Sequence, residues 1–382
     1  MRLLYLCPAD SGGIAEYAIR QHRSLLEAGV DVTFLCRPSF DIQRLRKSRI
    51  RTSLPASRRE KSFRFLKAVA RISDSMAIAR IAAKTAVTED FDYLLIACYE
   101  EYFSPAWAHY LDGPAKKGLR IGSIAHDPVR DFVLGPVWWH RWSVRLAYSF
   151  VSDVFVHDAT PVDFGGARPP HVRVHVIPHG PYEVAAPRHE RGELRQSHGF
   201  NDSDTVFLSF GQIRDGKNLD RFLRAMTSLP PSVKLLVAGT GGSGSQRTPD
   251  CYVGLARELG IADRCVWDLR YIPDEETGDL FEMADHVLLT YSAKFRSASG
   301  VLNAAVSCRR TVLASSGPGP LKSAVENYGM GRFVEPDDDD AILQGARDLM
   351  LDRSAPEWER YELENSWSAN AQGILRGLSS DP

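Results

Sequence analysis

The sequence has little cysteine and no long apolar run. Its 382 residues include only six cysteines, and none stands in a Cys-x-x-Cys pair. This argues against a disulfide framework and favours reduced thiols in a cytoplasmic protein. No stretch approaches the roughly 18 uncharged apolar residues that a spanning helix needs. The apolar N-terminal run turns polar after Cys7, so we interpret it as a first β-strand and not as a signal peptide.

Charge of one sign is not in excess over the whole chain. Forty-seven Lys+Arg against 48 Asp+Glu give a net charge of -1, so we expect no nucleic-acid partner. The balance hides an asymmetry, because residues 37–84 contain fourteen basic and three acidic residues, a net charge of +11. Residues 136–150 add three tryptophans among basic residues. Both segments suit an anionic membrane surface, the alternative being a solvated helical face with tryptophans in the core.

Several catalytic and metal-binding patterns are absent as well. There is no Gly-x-Ser-x-Gly elbow and no His-Glu-x-x-His, and no Asp-x-Asp pair suits a metal-dependent sugar transferase. His171, His175 and His179 stand four apart on a predicted strand, which separates neighbours by about 13 Å. We therefore predict no metal site.

Short apolar runs alternate with helical patterns from end to end. In the first half, the runs predicted as strands are 3–7, 30–36, 93–98, 120–125, 154–157 and 172–177. In the second half they are 205–210, 234–238, 265–268, 286–290, 311–314 and 332–334. Continuous apolar strands flanked by helices predict parallel sheets covered on both faces. Two such series predict two doubly wound α/β domains.

Three further segments complete this organisation. Residues 181–200 are rich in charge and poor in apolar periodicity, which predicts a surface linker. Residues 357–378 predict one or two helices around Trp367. The acidic run 337–340 predicts a solvated loop at a helix N-terminus, where negative charge is favourable.

Two strand ends carry patterns that suit an anion. The first strand is followed by Gly12 and Gly13 and then by a helical pattern, and the free N–H groups of a helix N-terminus attract anions. After the strand at 205–210, Arg214 and Lys217 leave the carboxyl end, where α/β sheets bind ligands. Two cations there could clamp a diphosphate, although two surface cations on a loop are the alternative.

A third strand end has small residues before a helix. Ser299 and Gly300 precede a helix predicted over residues 301–308, so phosphate oxygens could approach backbone N–H groups closely. The motifs that carry a family resemblance are 12–13, 126–127, 176–180, 210–214 with Lys217, 237–241, 284–285, and 299–305 before 311–315. In this order and spacing they resemble the glycosyltransferases of the GT-B fold, close to the large retaining family 4, over nearly the whole chain.

The resemblance implies an architecture. It consists of two Rossmann-like, doubly wound α/β domains that face a cleft, with the C-terminal helix crossing back to the first domain. The implied N-terminal, acceptor-side domain covers residues 1–183 and is completed by 362–382. The implied C-terminal domain, over residues 184–361, binds the nucleotide-sugar.

The resemblance also implies site residues. Lys217 matches the family's diphosphate lysine, and we expect Arg214 to supply the charge of an arginine that usually stands at the position of Gln212. His126 matches a histidine near the transferred sugar. The implied catalytic residues are therefore His126, Arg214 and Lys217. The implied donor-binding residues are Gly12, Gly13, Gln212, Tyr271, Ile272, Ser299, Gly300, Val301 and Asn303.

One departure from the family pattern affects the donor loop. The family often has two glutamates eight positions apart, where this chain has Phe295 and Asn303. An asparagine can hydrogen-bond ribose hydroxyls, being both donor and acceptor, whereas a phenylalanine cannot do a carboxylate's work. The identity of the donor is therefore left open.

The expected function is a retaining, metal-independent glycosyltransferase with no cofactor besides its nucleoside diphosphate sugar donor. A cationic, aromatic-rich first domain suits a glycan or lipid-linked acceptor at the inner face of the cell membrane. This favours cell-surface polysaccharide or lipid-linked glycan biosynthesis. Two alternatives remain: a noncatalytic nucleotide-sugar-binding or assembly-partner protein of the same fold, and another GT-B enzyme such as an epimerase or a phosphorylase.

Overall fold

The computed structural model describes residues 1–45, 49–56, 64–129, 133, 135–159, 161–242 and 246–379. Its strands are β1 Arg2–Leu6, β2 Asp31–Leu35, β3 Arg49–Arg51, β4 Tyr93–Ile96, β5 Arg120–Ile124, β6 Asp153–Val156, β7 Arg173–Val176, β8 Thr205–Phe210, β9 Val233–Ala238, β10 Cys265–Asp268, β11 His286–Thr290, β12 Thr311–Ser315 and β13 Gly331–Phe333. Its helices are α1 Gly12–Glu27, α2 Arg64–Thr88, α3 Ser104–Trp107, α4 His109–Lys116, α5 Val137–Ala147, α6 Arg191–Ser197, α7 Leu219–Met226, α8 Pro249–Glu258, α9 Asp274–Met283, α10 Gly300–Ser307, α11 Pro320–Tyr328, α12 Asp339–Leu351, α13 Trp358–Glu364 and α14 Trp367–Ser379.

The chain forms two compact units. Unit 1 comprises Met1–His179 and Ser366–Pro382, and unit 2 comprises Gly180–Asn365. The domain boundaries expected from the sequence, after residues 183 and 361, each lie four residues from these divisions. No helix within the described ranges is long and apolar enough to cross a bilayer.

Unit 1 contains a parallel sheet in the order β3-β2-β1-β4-β5-β6-β7. The central strand β1 pairs with β2 and β4, with Leu4 opposite Thr33 on one side and Leu94 on the other. Successive side chains alternate between two apolar layers, Leu4 in one and Tyr5 in the other, as expected for a strand covered on both faces. The short edge strand β3 was not predicted, because its sequence is Arg-Ile-Arg.

Unit 2 contains a parallel sheet in the order β10-β9-β8-β11-β12-β13. Its strands start and end within one residue of the predicted runs. Val206 and Phe207 of β8 again enter opposite apolar layers. Both sheets therefore have the doubly wound architecture that the sequence predicts.

The prediction of a surface linker over residues 181–200 is wrong in part. Residues Arg191–Ser197 form α6 and belong to unit 2. Leu194 enters the core, and the side chain of Arg195 is only 3% exposed. Arg195 Nη2 donates to Asp285 Oδ2 at 2.6 Å, and its Nε donates to the Met283 carbonyl at 3.0 Å. The charge pattern was misleading because this arginine is buried against a carboxylate and carbonyl oxygens.

The C-terminal helix α14 returns to unit 1, as expected. Asn370 is fully buried and receives a hydrogen bond from Gln21 Nε2 at 2.8 Å, while its own Nδ2 donates to the Pro178 carbonyl at 2.7 Å. A Cβ on Gly373 would lie 2.8 Å from Ile177 Cγ2, so the glycine permits the close approach of the helix to the end of β7. Arg120 Nη1 donates to the Leu378 carbonyl at the far end of the helix.

Candidate functional site

The carboxyl edge of the unit 2 sheet begins with a close contact between the ends of β8 and β9. The N–H of Gly211 donates to the Ala238 carbonyl at 2.9 Å. Gly239 has a φ of +144°, and a Cβ there would lie 2.1 Å from the Gly211 carbonyl oxygen. Only glycine satisfies both conditions, so the backbone of this edge is closely constrained.

Lys217 folds back over this edge from the short turn after β8. Its Nζ donates to the Phe210 carbonyl at 2.5 Å, and a Cβ on Gly211 would be 3.7 Å from the same Nζ. Burial, assisted by the nearby charge of Arg214, lowers the pKa of Lys217 from 10.5 to about 7. An ammonium has three donors, so the group retains capacity to bind an anion that would stabilise its charged form.

Arg214 lies on the same loop as Lys217. Its Cζ is 6.0 Å from the centre of the Phe295 ring, which places the guanidinium beside the loop that follows β11. The side chain of Gln212 is exposed. The structure thus brings Arg214 and Lys217 to one edge, as the sequence predicted, with the ring of Phe295 beside Arg214.

Asp337 holds two loops of this edge together. One of its carboxylate oxygens accepts from Asn218 Nδ2 at 2.8 Å, and the other accepts from the N–H of Ala293 at 2.9 Å. Asn218 follows Lys217 directly, and Ala293 begins the loop that leads to α10. The next residue, Asp338, caps α12 by accepting from the N–H of Ala341 at 2.9 Å, which agrees with the predicted acidic helix start. The positioning role of Asp337 was missed because its partners are more than 40 residues away in sequence.

The N-terminus of α10 completes the edge. Ser299 Oγ accepts from the N–H of Leu302 at 3.3 Å and lies 3.2 Å from the hydroxyl of Tyr291. The N–H groups of the first helical turn, at Gly300 and Val301, have no intrahelical acceptor and suit phosphate oxygens. Val301 reaches Gly211, since its Cγ2 would be 4.0 Å from a Cβ there. The glycine, the lysine and the helix N-terminus therefore surround one small region.

Phe295 and Asn303 occupy different environments. Phe295 stacks on Tyr291 with ring centres 4.1 Å apart. Asn303 is 2% exposed; its Nδ2 donates to the Gly180 carbonyl at 3.4 Å and its Oδ1 accepts from the Tyr361 hydroxyl at 2.8 Å. At this low exposure the amide offers ribose hydroxyls little access. Asn303 therefore contributes to the internal support of α10.

Two of the expected donor-binding residues, Tyr271 and Ile272, follow β10, and they differ in exposure. Tyr271 is 74% exposed, so its ring is accessible to a ligand. Ile272 is 8% exposed and packs in the core of unit 2, so that only its backbone is left to contact a base.

Unit 1 has its own open strand end. Gly12 begins α1 with a φ of +79°, and a Cβ on Gly12 or Gly13 would meet no atom within 4 Å. The first turn of α1 contains no acidic side chain. A ligand that approaches this turn would therefore meet backbone and no side chain at Gly12 or Gly13.

His126, at the end of β5, belongs to an aromatic and histidine cluster that sequence reasoning did not assemble. The ring of Tyr17 lies at its centre, 4.7 to 5.3 Å from the ring centres of His126, His157, His179 and Trp367. His126 Nδ1 is 3.4 Å from His157 Nε2, and burial lowers the pKa of His126 to about 4. His126 is therefore neutral at physiological pH. In the sequence, the only sign of this cluster is that a histidine follows each of the three successive strands β5, β6 and β7.

The remaining histidine patterns do not form a metal site. His175 Nε2 lies 2.8 Å from the buried Asp153 Oδ1, whereas His179 joins the Tyr17 cluster. Asp158 accepts from the N–H of Ala159 at 2.8 Å, a local contact at the end of β6. Across the residues that the structure describes, no group of three or more His, Cys, Asp or Glu is placed to hold a metal ion.

Comparison with known proteins connects this geometry to a family. Residues 190–373 match the model of the group 1 glycosyl transferases. The D-inositol 3-phosphate glycosyltransferase of Mycobacterium marinum is 26% identical over 196 residues, which cover 49% of this chain and 40% of the relative. The chain thus spans less than half the length of that curated relative.

Solved structures cover the whole chain. Anabaena HepE in complex with UDP and glucose superposes with a TM-score of 0.71 at 16% identity, over 100% of both chains. WaaG, a glycosyltransferase involved in lipopolysaccharide biosynthesis, superposes with a TM-score of 0.64 at 14% identity, over 99% of this chain and 100% of WaaG. Two parallel α/β units of this kind define the GT-B fold class. Within that class, residues 190–373 of this chain are similar to the group 1 glycosyl transferases.

Proposed function

We propose that this protein is a retaining glycosyltransferase of family 4 type. It transfers a sugar from a nucleoside diphosphate sugar to an acceptor hydroxyl. The observation that carries this proposal is the buried Lys217 amine, bound to the end of β8 beside Gly211 and next to the first turn of α10. An amine whose pKa is lowered to about 7 by burial regains its charge when a diphosphate binds against it.

The proposed mechanism uses this edge to stabilise the leaving group. The bond between the anomeric carbon and the diphosphate oxygen breaks, and the new bond to the acceptor oxygen forms on the same face of the sugar. The acceptor proton passes to an oxygen of the departing diphosphate. Lys217, Arg214 and the N–H groups of Gly300 and Val301 meet the developing negative charge. His126 positions the donor sugar as a neutral group.

Removal of the Lys217 amine tests the proposal directly. We expect Lys217→Ala to lower kcat by a factor that corresponds to about 2–4 kcal/mol, as for other preorganised electrostatic groups. The readout is the release of nucleoside diphosphate in the presence of an acceptor mixture. Lys322→Ala is the matched control, because Lys322 is exposed on α11. A Lys217→Ala variant with nearly full kcat would overturn the assignment, and binding without turnover in the wild type would favour the noncatalytic alternative.

Metal independence is part of the same proposal. The two cations and the helix N-terminus supply positive charge to the diphosphate from the protein itself. We expect turnover to be unchanged by EDTA. If EDTA abolishes turnover and a divalent cation restores it, metal independence is contradicted.

We further propose a role in cell-surface polysaccharide or lipid-linked glycan synthesis, at the inner face of the cell membrane. Support comes from α5, where Trp138 is 64% exposed and Trp142 is 46% exposed. Arg141 and Arg145 are exposed on the same stripe of this helix, three residues after Trp138 and three after Trp142. Exposed tryptophans beside arginines suit the interface of an anionic leaflet.

The basic segment 37–84 provides less free charge than its sequence indicates. Arg44, Arg49 and Arg51 pair with Glu16, Asp31 and Glu89, which lie outside the segment. Arg37 pairs with Asp74. Residues 46–48 and 57–63, and the side chains of 64–67, lie outside the described part of the chain. The α5 face is therefore the better supported membrane contact.

Liposome flotation tests this contact. We expect the wild type to float with anionic vesicles at low salt and to remain unbound with neutral vesicles. The double variant Trp138→Ala/Trp142→Ala should lose most of this binding. Leu351→Ala/Leu363→Ala removes two exposed apolar side chains of unit 2 and serves as the control. Equal flotation of wild type and the tryptophan variant would exclude α5 as the contact.

A further inference from the structure

Unit 1 contains a cavity of about 370 Å³ at the carboxyl ends of β1, β4 and β5. This volume falls in the range of about 300–1,000 Å³ that small-molecule sites occupy. Its wall is apolar where α2 contributes Ile78 and Ala79, with Trp107 beside them. His126 also lines the cavity, and its Nε2 is buried without a hydrogen-bond partner among the described residues. The cavity therefore reaches the residue that the proposed function places near the transferred sugar.

Arg37 is a cation in this lining, but its donors are largely occupied. Its Nε donates to the Pro8 carbonyl at 2.6 Å, and its Nη1 donates to the Pro55 carbonyl at 2.6 Å. Asp74 receives bonds from both terminal nitrogens, at 3.2 Å and 2.5 Å. A guanidinium has five N–H donors, and four are engaged here. Arg37 is thus a buried structural group and is poorly placed to bind a phosphate.

Carboxylates contribute the other charges of the described lining. Glu100 and Asp127 are exposed at the rim, and Glu101 is half-buried and accepts from the Tyr148 hydroxyl at 3.2 Å. The pKa of His126 is lowered to about 4 by burial, so this ring adds no positive charge near neutral pH. Ionised carboxylates are acceptors only, so they bind hydroxyl and ammonium donors and repel anions.

We infer that this cavity binds the acceptor through hydroxyl or amino groups of an uncharged or amino sugar and rejects an acceptor whose bound group is a phosphate or carboxylate. The apolar wall provides the face against which a sugar ring packs, and the rim carboxylates receive its hydrogen-bond donors. This inference rests on the proposed function only in calling the bound sugar the acceptor. The charge selectivity of the cavity itself does not depend on it.

A matched set of three sugars tests the selectivity. Binding of glucosamine, glucose and glucose 6-phosphate is measured by ligand-observed NMR with UDP present. We expect glucosamine and glucose to bind and glucose 6-phosphate to bind at least about tenfold more weakly, since like charges across an interface are costly. Equal or tighter binding of glucose 6-phosphate would overturn the inference, and so would absence of binding by all three.

Two variants locate the effect in the cavity. Glu100→Lys should reduce the preference for glucosamine over glucose 6-phosphate, while the exposed control Glu27→Lys should leave it unchanged. Ser75→Phe, in the cavity wall, should abolish binding of every sugar, with folding checked by the thermal midpoint. Unchanged binding in Ser75→Phe or an unchanged preference in Glu100→Lys would overturn the inference. UDP affinity and donor cleavage are measured in the same samples, so that their absence alongside intact sugar selectivity counts against the proposed function alone.

Discussion

The carboxyl edges of the two sheets share a topology and differ in charge. In unit 2, Lys217 and Arg214 stand beside a helix N-terminus, whereas the cavity of unit 1 is bordered by Glu100, Glu101 and Asp127. The contacts that hold each edge in place also differ. Unit 2 brings backbone against backbone at Gly211 and Gly239, while unit 1 packs rings around Tyr17.

This difference shows how one architecture provides two kinds of site. A parallel sheet places its ligand site at the ends of its strands whatever the sequence. The residues that follow each strand then decide whether that site attracts an anion or a hydrogen-bond donor. The contrast leads to four predictions, each of which changes one edge and leaves the other as reference.

The largest effect should come from Gly239→Ala in unit 2. The added Cβ would lie 2.1 Å from the Gly211 carbonyl oxygen at a φ of +144°, so the ends of β8 and β9 must separate. We expect a loss of roughly 3 kcal/mol in the free energy of unfolding, together with loss of UDP binding. Chemical denaturation checks this, with Gly254→Ala as control because its Cβ would meet nothing within 4 Å. Similar stability of both variants would show that the contact does not constrain the edge.

The second effect concerns the ring cluster of unit 1. The Tyr17 hydroxyl accepts from Gln21 Nε2 at 3.0 Å and from Asn370 Nδ2 at 2.9 Å. Tyr17→Phe removes this acceptor from two buried amides, and we expect a loss of about 2 kcal/mol in the free energy of unfolding. UDP affinity should not change. Tyr110→Phe is the control. A change in UDP affinity with Tyr17→Phe would show that the ring cluster of unit 1 and UDP binding in unit 2 are not independent.

The third effect is a pH dependence at Lys217. Its pKa of about 7 in the free protein must rise in the complex, since a bound anion favours the ammonium form. UDP affinity should therefore fall as pH rises above 7, by up to about tenfold per pH unit, or about 1.4 kcal/mol. Isothermal titration calorimetry from pH 6.5 to about 9 covers the window. In Lys217→Arg the guanidinium stays charged, so the profile should flatten. A wild-type profile as flat as that of the arginine variant would contradict the lowered pKa.

The smallest effect should come from Asp337, which joins the two loops of unit 2. Asp337→Gly removes both hydrogen bonds. Glycine adopts the φ of 62° at residue 337 without strain, so the backbone of the loop is not disturbed by the substitution. We expect UDP to bind about fivefold more weakly, or about 1 kcal/mol, with little change in the sugar selectivity of unit 1. Asp340→Gly, in the same acidic run, provides the comparison. Identical UDP affinities in the two variants would show that Asp337 does not order the site.

The sequence predicted the central strands well because most of them are apolar runs bounded by polar turns, but it missed the edge strand β3, whose sequence is Arg-Ile-Arg. It also placed Lys217 and Arg214 at one strand end, since strand direction alone determines that edge. It could not predict that Arg195 is buried, because its partner Asp285 lies 90 residues away. The hydrogen bond between Asn303 and Tyr361 likewise joins residues that are distant in sequence. The same is true of the ion pairs made by Arg44, Arg49 and Arg51.

The return of α14 to unit 1 has a consequence for biosynthesis. Unit 2 is continuous in sequence, so it is synthesised in full before residue 366 is added. Unit 1 begins first but lacks its last helix until then, and Ala371, Ile374 and Leu378 fill part of its apolar layer. The first unit to be synthesised is therefore the last to be completed, and part of its apolar layer lacks α14 until all of unit 2 has been synthesised.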